Sequence, residues 1–177
     1  METQNIASPG KVGLNYGIYI GLILVLFQVV MYATGMALEG VQWPMYIFYL
    51  IFAIMIFMAV KTFKTANGGF LTISEALKTG VSAAAVSGLI FLVYNILLFY
   101  VIEPGYGEMI LEVSREKMLE TGNMTEEQVE MGLKFSRYMI NPFVGGAFWI
   151  ALSAFFGLIY SLIAGAIWKQ QRPYDMA

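Results

Sequence analysis

The sequence predicts an all-α integral membrane protein, with four transmembrane helices and an extra-membrane helical hairpin between spans three and four. Three observations carry that prediction. Of the 177 residues 59% are hydrophobic and only 12% are charged, against about 25% charged in ordinary soluble chains, and the mean hydropathy is +0.69. The charges are also segregated. No Asp, Glu, Lys or Arg stands between Lys11 and Glu39, Glu39 and Lys61, Lys78 and Glu103, or Arg137 and Lys169. Each gap suffices for a helix to cross a hydrocarbon core of about 30 Å, which takes roughly 20 residues. Finally, residues 103–138 hold eight glutamates and four basic residues, so that stretch belongs outside the bilayer core.

Taken in order, residues 1–12 are polar, with Ser8-Pro9-Gly10 as a breaker. The first span covers about 13–36. Its apolar run exceeds the roughly 7–15 residues of a signal peptide, and the leader holds Glu2 as well as Lys11, so an uncleaved span is expected. The connection 38–42 is short enough to make spans one and two antiparallel neighbours. Trp43-Pro44 opens the second span, 43–60, with proline in the first turn, where its missing N–H costs nothing. Thr72 followed by Glu75 forms a capping box for the third span, 73–102, which Pro104-Gly105 ends. The outer hairpin, 103–140, divides into helices at 106–121 and 126–140. Gly122 suits the position just past the first, and Thr125 with Gln128 caps the second. Met109, Ile110, Val113 and Lys117 follow helical spacing, as do Met131, Phe135, Tyr138 and Met139. One apolar face results, expected to lie against the membrane surface or the helix bundle. Asn141-Pro142 leads into span four, 143–168. The whole chain, 1–177, reads as one domain.

Lys and Arg bias sets membrane orientation. One side receives Lys11, Lys61, Lys64, Lys78, Lys169 and Arg172, and the other receives only the four bases of the acidic segment. Both termini and the 61–79 hairpin are therefore expected to be cytoplasmic, and the acidic hairpin to face outward. Trp43, Tyr46, Tyr100 and Trp168 fall near span ends, as interface anchors do. Within lipid, helices associate largely through close approach of small residues. Gly13, Gly17 and Gly21 repeat every fourth position in span one. Gly80, Ala84 and Gly88 do so in span three, and Ser153, Gly157, Ser161 and Gly165 in span four. These residues are the candidate packing positions, so spans one, three and four are expected to form the tight core with span two more peripheral. The ladders serve either folding within the chain or a homo-oligomer.

The candidate polar contacts inside the membrane are Gln28, Tyr94 and Asn95, alongside Tyr32 and several serines. Interhelical hydrogen bonds from Gln28 and Asn95, to each other or to another partner, are the first expectation, and a polar substrate path the alternative. Cysteine and histidine are absent, which removes thiol nucleophiles, Cys/His metal sites, histidine-ligated haem and histidine general-base chemistry. The uncharged spans argue against an intramembrane proton relay or an embedded charged catalytic site. Glu103, beside Pro104, is the carboxylate nearest the membrane. The glutamates of the outer hairpin read as a solvated face, with cation binding the alternative. The Gly68-Gly69 pair invites comparison with a phosphate loop, yet Phe70-Leu71 follows it where Lys-Ser/Thr would be needed. It reads as a turn, an aromatic anchor and a cap. Why it uses two glycines is left to contact with a partner.

The four spans, the Gly68-Gly69-Phe70 turn before a helix containing Ser74-Glu75-Ala76-Leu77, Tyr94 in span three and the acidic segment after it together resemble a known family. It is an uncharacterised family of small bacterial membrane proteins, a domain of unknown function found mainly in Bacteroidota. The resemblance implies an integral inner-membrane protein and supplies no catalytic residues. The expected function is a non-enzymatic accessory or scaffold subunit acting through helix–helix contacts. The rivals are a small oligomeric permease or channel with Gln28, Tyr94 and Asn95 lining its path, and a sensor using the outer hairpin. No cofactor, metal or nucleic-acid partner is expected. The expected partners are the lipid bilayer and either a second copy or another membrane protein.

Overall fold

The computed structural model describes residues 8–120, 122 and 124–172, all in helices and their connections apart from one isolated bridge. Four helices are long and apolar enough to span a membrane: α1 (Pro9–Ala33), α3 (Trp43–Ala66), α4 (Ile73–Leu97, extended to Ile102 by a wider terminal turn) and α7 (Pro142–Trp168). A one-turn helix α2 (Met36–Glu39) lies between α1 and α3, and the hairpin α5 (Tyr106–Glu120) and α6 (Glu126–Ile140) lies between α4 and α7. The architecture is that of an all-α multi-pass membrane protein.

Local chemistry explains the boundaries. α1 starts at Pro9, four residues before the expected point, because proline serves the first turn of a helix as well as it serves a break. It stops at Ala33 because Gly35 turns left-handed, at φ +74°. α3 runs on to Ala66 rather than stopping at Val60, since Lys61 and Lys64 project from its last turns without interrupting it. Thr72 caps α4 as a full box: its Oγ1 accepts from the Glu75 amide at 3.2 Å and the Glu75 carboxylate accepts from the Thr72 amide at 2.8 Å. The same box opens α6 through Thr125 and Gln128, at 3.3 and 2.9 Å. Gly122 follows α5 with φ +65°; Thr121, the expected last residue of that helix, lies outside the described residues. Asn141 caps α7, its side chain accepting from the amides of Phe143 and Val144.

Helix α4 is the hub. It packs along its length against α1 on one side and α7 on the other, and α3 lies over the seam in contact with all three. The small residues lie at these two contacts. A β-carbon on Gly13 would strike Ser82; one on Gly17 would stand 2.6 Å from both the Ala83 carbonyl oxygen and the Val86 Cβ; one on Gly21 would stand 2.8 Å from Ile90. On the opposite face of α4, a β-carbon on Gly80 would strike Ser161, one on Gly157 would meet the Ala84 methyl, and one on Gly165 the Ala76 methyl at 2.9 Å. Gly88 is occupied likewise by Ile150 and Ser153. Backbones this close gain dispersion contacts that lipid tails do not match. α3 reaches its buried position by other means: Phe48, Phe52, Ile56, Val60 and Phe63, spaced three or four apart, wedge into the seam and are all but inaccessible.

The α3–α4 turn answers the glycine question. Gly68 and Gly69 both adopt left-handed backbone, φ +70° and +88°, and a β-carbon on Gly69 would meet nothing within 4 Å. The backbone conformation by itself calls for glycine at both positions.

Candidate functional site

Several polar groups inside the spans bond within their own helix, while Tyr16 of α1 and Thr62 of α3 pair across helices at 2.8 Å. The Asn95 amide donates to the Phe91 carbonyl of its own helix at 2.9 Å, so the expected interhelical bond is not made; a short side chain on a helix reaches the carbonyl one turn back more readily than a neighbouring helix. Gln28 sits half-buried on α1. The hydroxyls of Thr79, Ser82 and Ser161 likewise donate to carbonyls of their own helices. Ser87 and Ser153, from α4 and α7, converge on one acceptor, the Ala84 carbonyl, at 2.8 and 3.4 Å. They border a narrow cleft whose other walls include Leu24, Phe48, Phe52 and Trp149.

Tyr94 behaves differently. Its neighbour Asn95 turns back on its own helix, but Tyr94 is buried in a cluster with Leu98 and Tyr106, against Tyr32, Phe91 and Phe99. The cluster gathers residues of α1, α4 and α5 where the hairpin leaves the spans. The rings of Tyr32 and Tyr106 meet edge-on at 5.4 Å, as do those of Phe99 and Tyr106. The Tyr32 hydroxyl donates to Glu103 Oε2 at 3.2 Å. Glu103 stands at the end of the widened turn Leu98–Ile102, where its amide bonds the Leu98 carbonyl five residues back at 2.8 Å. Turns of this kind often mark functional positions. Burial, then the nearby Tyr94 and Tyr32, push the Tyr106 phenol above its ordinary value. Sequence reading singled out Tyr94, Tyr32 and Glu103 separately. It missed Tyr106, because a tyrosine two residues after Pro104 carries no periodic signal that it folds back onto α1.

The opposite end holds a second polar junction. Asn67, buried at the end of α3, donates to the Phe70 carbonyl and to Glu75, and accepts from Arg172 at 3.0 Å. The Arg172 guanidinium lies 5.6 Å over the Phe70 ring. Leu71 and Gln170 exchange backbone bonds, both 2.9 Å. The residues after α7 thus latch the glycine turn. Among the described residues, no group of three or more Asp or Glu side chains is placed to hold a metal.

This layout of four spans, a latched glycine turn and a helical hairpin with its tyrosine cluster is matched over residues 15–170 by the family described as "Protein of unknown function (DUF4199)". The chain belongs to that family. The match takes in the glycine turn, the tyrosine cluster, the whole hairpin and all of α7, so the DUF4199 unit includes the hairpin as well as the spans. No curated protein and no solved structure matches the chain.

Proposed function

We propose that this DUF4199 protein is a non-enzymatic membrane scaffold or accessory subunit, a four-helix bundle that presents its hairpin and its lipid-facing surface to a second copy or another membrane protein. The observation that carries the reading is the self-sufficiency of the spans. The serine and threonine hydroxyls of α4 and α7 and the Asn95 amide bond carbonyls of those two helices, and the small residues draw α4 against α1 and α7. Of the three side chains expected to line a path, Asn95 is bonded within its own helix and Tyr94 is packed among aromatic rings, which weighs against the permease reading. Lys11, Lys61, Lys64, Lys78, Lys169 and Arg172 all stand at the end where α1 begins, α7 ends and the glycine turn lies. That bias supports cytoplasmic termini in a bacterial inner membrane. The test has two arms. Gentle purification from the native membrane should yield a defined co-purifying membrane protein or a homo-oligomer of fixed mass. Purified protein in liposomes should leave ion and small-solute flux at the level of empty vesicles. Flux that the Asn95→Leu substitution abolishes would replace this reading with the permease.

A further inference from the structure

Helix α6 has two sharply different faces. Val129 is buried against α5, and Met118 of α5 reaches across to Gly132. On the opposite face Met131, Phe135 and Tyr138, spaced four and three apart, stand 65, 67 and 64% exposed. A contiguous stripe of two aromatic rings and a thioether in water is unusual for a structure that has somewhere to bury it. What lies next to it is defined by the chain. Asn141 is at once the residue after α6 and the cap of α7, so Tyr138 stands only four residues before the membrane-spanning helix. Phe143, in the first turn of α7, is itself exposed. Charge is graded in the same direction. Glu126, Glu127 and Glu130 occupy the first five positions of α6, while Lys134 and Arg137 occupy the half that leads into the membrane. The stripe thus leads along the chain into a helix whose exposed side chains meet lipid, and its membrane end carries Lys134 together with Arg137, which stands 3.8 Å from Glu108.

We propose that the C-terminal half of α6 is an interfacial helix, seating Met131, Phe135 and Tyr138 among the lipids of the hairpin-side leaflet while Lys134 reaches the phosphates. Long basic side chains that snorkel beside an apolar face, with aromatic rings at headgroup depth, are the chemistry of such helices. The glutamate-rich N-terminal half stays in water. The proposal depends on α7 crossing the membrane and holds whether the protein is a scaffold or a permease.

The chain has no cysteine, so single cysteines report position without competition. Met131→Cys, Phe135→Cys, Tyr138→Cys and, as water-facing references, Glu126→Cys and Glu130→Cys are each labelled with an environment-sensitive fluorophore in the full-length protein. The proteins are reconstituted in phosphatidylcholine–phosphatidylglycerol vesicles. Labels at 131, 135 and 138 should be quenched by lipids carrying a shallow acyl-chain nitroxide and lose several-fold in quenching by aqueous iodide relative to 126 and 130. Lys134→Glu should restore iodide access at 131 and 135. Iodide quenching equal at all five positions would overturn the proposal, since the stripe would face water. Protection at 131, 135 and 138 from both quenchers would also overturn it, because a protein surface would then cover the stripe.

Discussion

The contact between α1 and α4 can be tested at Gly17, where the obstacle is backbone. A β-carbon there would stand 2.6 Å from the Ala83 carbonyl oxygen and 2.6 Å from the Val86 Cβ. Neither atom lies at the free end of a flexible side chain, so neither can swing aside. The tightest ordinary contact of this kind is about 3.4 Å, so Gly17→Ala requires α1 and α4 to part locally by about 0.8 Å. Overpacking of a well-fitted contact costs about 1–3 kcal/mol. Replacing a mid-helix glycine by alanine returns up to about 1 kcal/mol of helix propensity. The expected net loss is about 1–2 kcal/mol, a factor of roughly 5–30 in the folded-to-unfolded ratio. Gly10→Ala is the control: its added carbon would have no neighbour nearer than 4.0 Å, so only propensity acts. Equilibrium unfolding in mixed detergent and SDS micelles, followed by far-ultraviolet circular dichroism, measures both. A Gly17→Ala protein as stable as the parent would refute the reading that α1 and α4 touch through the backbone at this point.

Two further outcomes follow from the ends of the spans. Gly68→Ala and Gly69→Ala should each destabilise the α3–α4 turn by about 1 kcal/mol through left-handed strain alone; amide exchange at Leu71 should rise in both, and its failure to rise would separate the glycines from the turn. The Tyr106 phenol is held above its ordinary value, so the unfolded chain loses that proton first as pH rises. Its contribution to stability is therefore complete below the unfolded value near 10 and declines as pH climbs through the raised folded value. Alkaline titration should show a late tyrosinate absorbance step that disappears in Tyr106→Phe, with little change in stability through the neutral range.

Much of this architecture was legible because membrane helices announce themselves through charge-free length, and caps through residue type. Thr72 with Glu75 and Thr125 with Gln128 follow a local rule that tertiary context did not override. The glycine ladders were legible for the same reason, since close approach needs small residues at fixed spacing. What escaped was information held between distant segments. Span two, lacking a ladder, does stand off from the close backbone contacts that join the other three, but that its Phe48, Phe52 and Ile56 fill the seam by size was not legible; a large residue in a membrane helix faces lipid or protein with equal ease. Asn95 was expected to bond across helices by cost of burial, but a carbonyl one turn back lies closer than any neighbour. Tyr106 had no signal at all, because its role depends on how the chain turns after Pro104.

The use made of the small residues changes where a partner would bind. If Gly13, Gly17 and Gly21 were free, a second chain could dock by the close backbone approach that small residues allow. In this protein those positions face α4, and the ladders of α4 and α7 face each other. What the spans offer outward is large: Tyr46, Leu50 and Ile54 on α3, Leu22 and Leu26 on α1. Such surfaces pack against a protein no better than against acyl chains unless shape is complementary, so association in the bilayer core would be selective only for a matched partner. The hairpin has polar groups, a charge gradient and a defined seat on the spans, and so has more means of discrimination. The proposed scaffold role would therefore place recognition at the hairpin, with the spans supplying the platform.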